Sequence, residues 1–179
     1  MRRIILLCLA LAALLCACGR EEWQNLRLFC ENFSRFASET DHLAQIEPGQ
    51  FTARRSDDGT AYQAYIGDSL LLACDTLRGG RVHTVSLTGL PEQSQRAFFD
   101  AARCAAQAYT GAAADQAERW LRQIQVGEAE VPGVRGFEEA GFKFSYAANK
   151  AGRWLRVSQL RFLPPEPALA TLREEITED

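Results

Sequence analysis

The chain has 179 residues, of which 47% are hydrophobic and 24% charged, and its formal net charge is −3 at pH 7. This is the composition of a folded globular protein, so wholesale disorder is excluded. A mildly acidic chain lacks the basic surface that nucleic acid binding requires, so we expect no nucleic-acid partner.

The first 17 residues have the pattern of an export signal. Arg2 and Arg3 supply positive charge at the start, and residues 4–15 form an uninterrupted apolar run. That run is too short to cross a bilayer, which takes about 20 helical residues. It has the length of the apolar region of a signal peptide. We therefore expect residues 1–17 to be removed on export.

The segment ends in Leu15-Cys16-Ala17-Cys18, which resembles the lipobox of bacterial lipoproteins. The resemblance implies that Cys18 carries S-diacylglycerol on its thiol and, after cleavage, an acyl chain such as palmitate on its amino group. Several acyl chains together anchor a protein stably. Gly19 is not the aspartate that retains lipoproteins at the inner membrane, so the resemblance implies the periplasmic face of a Gram-negative outer membrane. The alternative is an ordinary secretory signal cleaved near Ala17.

Residues 18–20 would then form a short tether, and residues 21–39 are predicted to form an amphipathic helix. Its apolar residues recur every three or four positions: Trp23, Leu26, Phe29, Cys30, Phe33, Phe36 and Ala37. Helices that lie in a membrane surface usually have a polar face rich in Lys and Arg, whereas this one carries both charge signs. We therefore expect the helix to pack against the core.

The centre of the chain is predicted to form an antiparallel meander of four short strands. Turn signals separate β-prone segments at 50–55, 61–66, 70–74 and 82–88. Short strands at roughly ten-residue spacing, joined by tight turns, are typical of an antiparallel sheet.

The remaining elements complete a single predicted α+β domain over residues 21–163. Two helices are predicted at 92–109 and 113–126, followed by a loop at 131–133 and a hairpin of strands 141–147 and 154–162. Residues 164–179 read as a proline-rich and then acidic tail. The predicted fold is therefore an N-terminal helix, a four-stranded meander, two helices and a C-terminal hairpin, with one sheet whose helices lie on one face.

Three cysteines remain outside the signal and the lipobox: Cys30, Cys74 and Cys104. An oxidising compartment favours a disulfide between any two that come close together. All three pairings are open, with Cys74–Cys104 preferred because Cys30 lies in the apolar stripe of the first helix. The alternative is three buried apolar side chains without a bridge. No pair has the C-x-x-C spacing of a redox motif or a zinc knuckle.

The chain contains no recognisable catalytic or cofactor motif. His42 is expected at a helix end or in solvent, and His83 is predicted to be a half-buried strand residue on the same side as Val85 and Leu87. The acidic residues Glu128, Glu130, Glu138 and Glu139 are interpreted as solvated loop residues. We therefore expect no enzymatic activity, no metal and no cofactor apart from the covalent lipid on Cys18.

Arg78 and Arg81 flank a Gly-Gly turn. Two arginines in this arrangement could clasp an anion, although the tip of a hairpin also places arginines in solvent.

Two functions of different classes fit the sequence. The first is a membrane-tethered, non-catalytic interaction module for a cell-envelope protein. The alternative is a module that binds a small hydrophobic ligand or a lipid in a pocket between the sheet and the first helix. Its motivation is a set of aromatic residues that would equally form a plain core: Phe29, Phe33, Phe36, Phe142, Phe144, Tyr146 and Trp154.

Overall fold

The computed structural model describes residues 25–40, 43–128 and 130–163. The export signal with the lipidation site Cys18, the histidine His42 and the tail 164–179 lie outside these described residues. Among the residues described, no helix is long and apolar enough to cross a membrane.

Three helices form where the apolar periodicity predicts them: α1 (Leu26–Ala37), α2 (Gln95–Thr110) and α3 (Ala114–Gln123). The Asn25 side chain accepts a hydrogen bond from the Leu28 amide at 2.9 Å and so caps the start of α1. Ser94 caps α2 in the same way, which is why α2 begins three residues later than predicted. Gly111 ends α2 in a left-handed conformation with φ of 74°.

Seven strands form one fully antiparallel sheet. They are β1 (Thr52–Arg55), β2 (Gly59–Ile66), β3 (Leu70–Leu77), β4 (Val82–Gly89), β5 (Val131–Glu139), β6 (Phe142–Asn149) and β7 (Gly152–Gln159), with short 3₁₀ turns at Pro48–Gln50 and Leu160–Phe162. The strand order is β1-β2-β3-β4-β7-β6-β5. The α+β class, the meander and the hairpin are thus confirmed, and pairing between β4 and β7 joins them into a larger sheet than predicted.

Strand β5 corrects the prediction of a loop over residues 131–133. Glu138 and Glu139 likewise lie in this strand and pair with β6, whereas they were expected in a loop. The register between β5 and β6 shifts between Val131 and Arg135, which accommodates Pro132 and the positive φ of 68° at Gly133. Proline and irregular register are tolerated at the edge of a sheet, because the outer side of an edge strand needs no partner.

The helices pack against one face of the sheet, which we call the helix-covered face. Aromatic pairs connect the two layers: Phe98 with Tyr146 at 6.1 Å, Trp120 with Phe144 at 5.2 Å, and Tyr109 with Phe142 at 5.4 Å between ring centroids. Helix α1 packs mainly on α2. The alternate side chains of every strand point to the other side, which we call the second face.

Candidate functional site: the second face of the sheet

An apolar row crosses one end of the second face. The strand register aligns Tyr65, Leu71, Thr88, Trp154 and Ala147 across five strands. Tyr65 is 67% exposed, and Leu71 and Trp154 are half-buried. Large exposed aromatic side chains on a sheet face are typical of contact surfaces, because they offer apolar area at small entropic cost.

The next row, which we call the arginine row, places one cation among small side chains. Arg156 of β7 lies between Ser86 of β4 and Ser145 of β6, with Ala73 and Gly136 further out. The Arg156 Nε atom is buried and has no hydrogen-bond partner among the described residues. A buried donor without an acceptor is costly, and the Nε atom of Arg153 has the same property.

A third, polar row includes Asp75, Thr84, Ser158, Lys143 and Glu138. The hydroxyls of Thr84 and Ser158 are buried and lie 3.0 Å apart. Lys143 and Glu138 form an ion pair at 3.8 Å. The two buried hydroxyls form a hydrogen bond with each other between β4 and β7, so their role in this geometry is structural.

His83 was predicted on the same side of its strand as Val85 and Leu87. The structure corrects this orientation, because His83 lies where the pairing of β3 with β4 changes register. Val82, Val85 and Leu87 are buried, whereas the His83 Nδ1 atom lies 3.1 Å from the hydroxyl of Thr84. Burial lowers the pKa of His83 below its usual value; Asp75 opposes this shift and Arg156 adds to it. The charged neighbours of His83 therefore lie on the second face, and its lowered pKa favours the neutral imidazole.

The second face presents apolar side chains and the partly buried Arg156. A guanidinium is a planar donor that matches a carboxylate or another planar anion. Within the described parts of the chain, no group of three or more His, Cys, Asp or Glu residues could hold a metal ion.

Arg78 and Arg81 lie at the turn between β3 and β4, as the sequence indicates. The Arg78 Nε atom donates to the Asp57 carbonyl at 2.6 Å, and the Arg81 guanidinium lies 5.3 Å from the centre of the Phe162 ring. The turn borders a surface cleft of about 370 Å³ that also includes Asn25.

The aromatic residues considered for a ligand pocket occupy two environments. Phe29, Phe33, Phe144 and Tyr146 are fully buried in the core, Phe36 and Phe142 are partly buried against it, and Trp154 lies on the second face. A separate cleft of about 340 Å³ is bordered by Phe142, Leu160 and Arg161.

Cys30, Cys74 and Cys104 are all buried free thiols in this structure. Burial raises the pKa of Cys30 to about 12 and raises that of Cys74 well above its usual value. It also raises the pKa of Cys104, which a hydrogen bond with Thr40 partly offsets. The electrostatic neighbours of Cys74 include Cys30. The Cys74–Cys104 disulfide stays a prediction.

We expect these three thiols to react with iodoacetamide far more slowly in the native protein than after unfolding. The thiolate is the reactive species, and burial disfavours it while also blocking access. Mass spectrometry of the lipidated protein alkylated without reductant measures this, because the lipid already blocks Cys18. Rapid alkylation of the native protein would contradict the burial described here. In denaturant, three modified thiols exclude a bridge, whereas one modified thiol identifies a disulfide that peptide mapping can assign.

The described residues form a small α+β domain with one antiparallel sheet, and the apolar row and Arg156 lie on the second face of that sheet. The chain matches no protein-family model, no curated protein and no solved structure. Its function is therefore inferred from its residues and their geometry.

Proposed function

We propose that the protein is a bacterial lipoprotein held on the outer membrane through acylated Cys18, and that its α+β domain is a non-catalytic interaction module for a cell-envelope protein. The observation that carries the proposal is the second face, on which the exposed Tyr65 and the half-buried Trp154 share one row, and Arg156, two residues from Trp154, has a buried donor without a partner among the described residues. Tyrosine, tryptophan and arginine are the residues that contribute most to protein–protein interfaces.

The chemistry of the second face indicates what its partner offers. The partner's contact segment carries a carboxylate that reaches Arg156 and apolar side chains that cover Tyr65 and Trp154. An arginine–carboxylate pair is directional and strengthens as water is excluded from it. The apolar row beside Arg156 provides that exclusion.

The acyl anchor on Cys18 confines the domain to a membrane surface. Tethering raises the effective concentration of two proteins on the same membrane into the range of about 1 mM, so a weak contact on the second face suffices.

We expect a photo-crosslinking amino acid at Tyr65 to capture one envelope protein reproducibly in living cells. The matched control places the same amino acid at Arg119, whose side chain is 70% exposed but lies on helix α3, away from the second face. Mass spectrometry identifies the captured protein. Capture from Tyr65 and not from Arg119 supports the proposal, whereas equal capture from both positions contradicts it.

The same capture is expected to fall sharply in a Cys18→Ser variant. Serine cannot take up the diacylglyceryl group, so the domain loses its membrane tether and the associated effective concentration. Labelling of cells with an acyl-chain analogue checks directly that Cys18 carries lipid. An unlabelled wild-type protein would contradict the anchoring half of the proposal.

The second candidate function is binding of a small hydrophobic ligand or lipid, which the cleft beside Phe142 and Leu160 favours. Solvent extraction of the purified protein followed by mass spectrometry tests it. A stoichiometric hydrophobic molecule, distinct from the covalent lipid, would support this candidate over the interaction module.

A further inference from the structure

The first described residue, Asn25, lies beside the turn between β3 and β4. Asn25 forms a backbone bridge with Arg81, so the N-terminal segment reaches the domain at this turn. Six residues lie between Cys18 and Asn25, and even a fully extended chain spans only about 25 Å from one to the other. A lipid on Cys18 therefore keeps this end of the domain close to the membrane surface. This step rests on the proposed anchoring.

This end of the domain carries arginine side chains beside an aromatic ring. The guanidinium groups of Arg81 and Arg161 lie 5.3 Å and 4.8 Å from the centre of the Phe162 ring. Arg78 is exposed on the same turn as Arg81, and the cleft of about 370 Å³ lies between this turn and Asn25. Arginines with aliphatic stems and a neighbouring aromatic ring suit the boundary between water and lipid.

Exposed carboxylates at this end, which include Asp57, Asp58 and Glu139, reduce its positive charge. Asp57 and Asp58 form the neighbouring turn between β1 and β2, and their backbone carbonyls accept hydrogen bonds from Arg78. Their side chains are exposed. The attraction to an anionic surface is therefore moderate, and removing these carboxylates should strengthen it.

We propose that the end formed by the β3–β4 turn, Arg161 and Phe162 binds the anionic headgroups of phospholipids in the leaflet that holds the acyl chains. We call it the membrane-facing end. The arginines contact lipid phosphates and Phe162 lies at the boundary of the headgroups. Since the strands run away from this end, the second face extends into the periplasm and stays accessible to a protein partner.

The test uses the lipidated full-length mature protein in vesicles, with a polarity-sensitive fluorophore on a single introduced cysteine. Ser56→Cys places the fluorophore in the β1–β2 turn at the membrane-facing end, and Lys150→Cys places it in the β6–β7 turn at the opposite end. Both positions are exposed, whereas the native thiols are buried. Vesicles of phosphatidylcholine are compared with vesicles that also contain phosphatidylglycerol.

We expect the fluorophore at position 56, and not at position 150, to report contact with the bilayer when phosphatidylglycerol is present. The double variant Arg78→Gln/Arg161→Gln should lower the equilibrium constant for this contact by about 25-fold, since each arginine contributes about fivefold. The control Arg96→Gln/Arg119→Gln removes the same charge from exposed helix positions and should change little. Asp57→Asn/Asp58→Asn should increase contact.

Three outcomes would overturn the inference. The first is equal contact in both kinds of vesicle, and the second is an equal loss in the two double arginine variants. The third is contact that appears only after removal of residues 164–179, because the acidic tail would then be the occupant of these arginines. These outcomes are distinct from failure of the proposed function, which acyl labelling of Cys18 and capture from Tyr65 report separately.

Discussion

Replacing Phe144 with alanine is expected to lower the free energy of unfolding by about 3–5 kcal/mol. The Phe144 ring is completely buried and stacks on Phe137 with a centroid distance of 4.9 Å. It also packs against Trp120 at 5.2 Å, so one side chain joins α3, β5 and β6. Its loss leaves a cavity that surrounding rings cannot fill without leaving their own contacts.

Urea or thermal unfolding of the mature protein measures this effect, which corresponds to a fall of roughly 10–15 °C in the melting temperature. Tyr65→Ala is the matched control, because it removes an aromatic ring that is 67% exposed on the second face. We expect it to change stability by no more than about 0.5 kcal/mol. A comparable loss in both variants would contradict the placement of these two rings.

Alternation along individual strands could be predicted from the sequence, since it depends on neighbouring residues alone. In β6, Phe144 and Tyr146 alternate with Lys143 and Ser145, and the structure buries the aromatic pair. The same holds for β7, where Leu155 and Val157 enter the core. Local periodicity assigns each side chain to a face because a strand repeats every two residues.

The joining of β4 to β7 could not be predicted in this way. The pairing of Leu87 with Leu155 brings together residues far apart in sequence, and nothing local specifies that partner. Strand β5 was not predicted for a different reason. Pro132, Gly133 and Gly136 interrupt its alternation, and its edge position removes the need for a continuous ladder.

Some features of the candidate site follow from local alternation along a strand, and others depend on long-range strand pairing. Alternation with the buried Leu155 and Val157 already places Arg156 on the face away from the core. Its neighbours Ser86 and Ser145 come from β4 and β6, so the small-residue surroundings of Arg156 depend on long-range register. The orientation of His83 likewise depends on the irregular pairing of β3 with β4.

Arg156→Met is expected to weaken partner binding by about 30-fold or more without loss of stability. Removing one member of a buried charge pair in an interface costs about 2 kcal/mol or more, which is the source of the 30-fold expectation. In the isolated domain the Arg156 Nε atom has no described hydrogen-bond partner. Methionine of similar length therefore removes an unsatisfied donor, and we expect the free energy of unfolding to stay unchanged or to rise.

The yield of the Tyr65 crosslink in cells measures binding, and thermal unfolding of the purified variant measures stability. Arg54→Met is the matched control, because it removes the same charge from an exposed position on the second face. Arg156→Lys keeps the charge but loses the planar fork, so it should restore binding only in part. Unchanged capture by Arg156→Met would exclude Arg156 from the interface. A lower melting temperature of Arg156→Met would instead assign the guanidinium a role within the fold. Loss of capture at an unchanged melting temperature would support an external partner for Arg156.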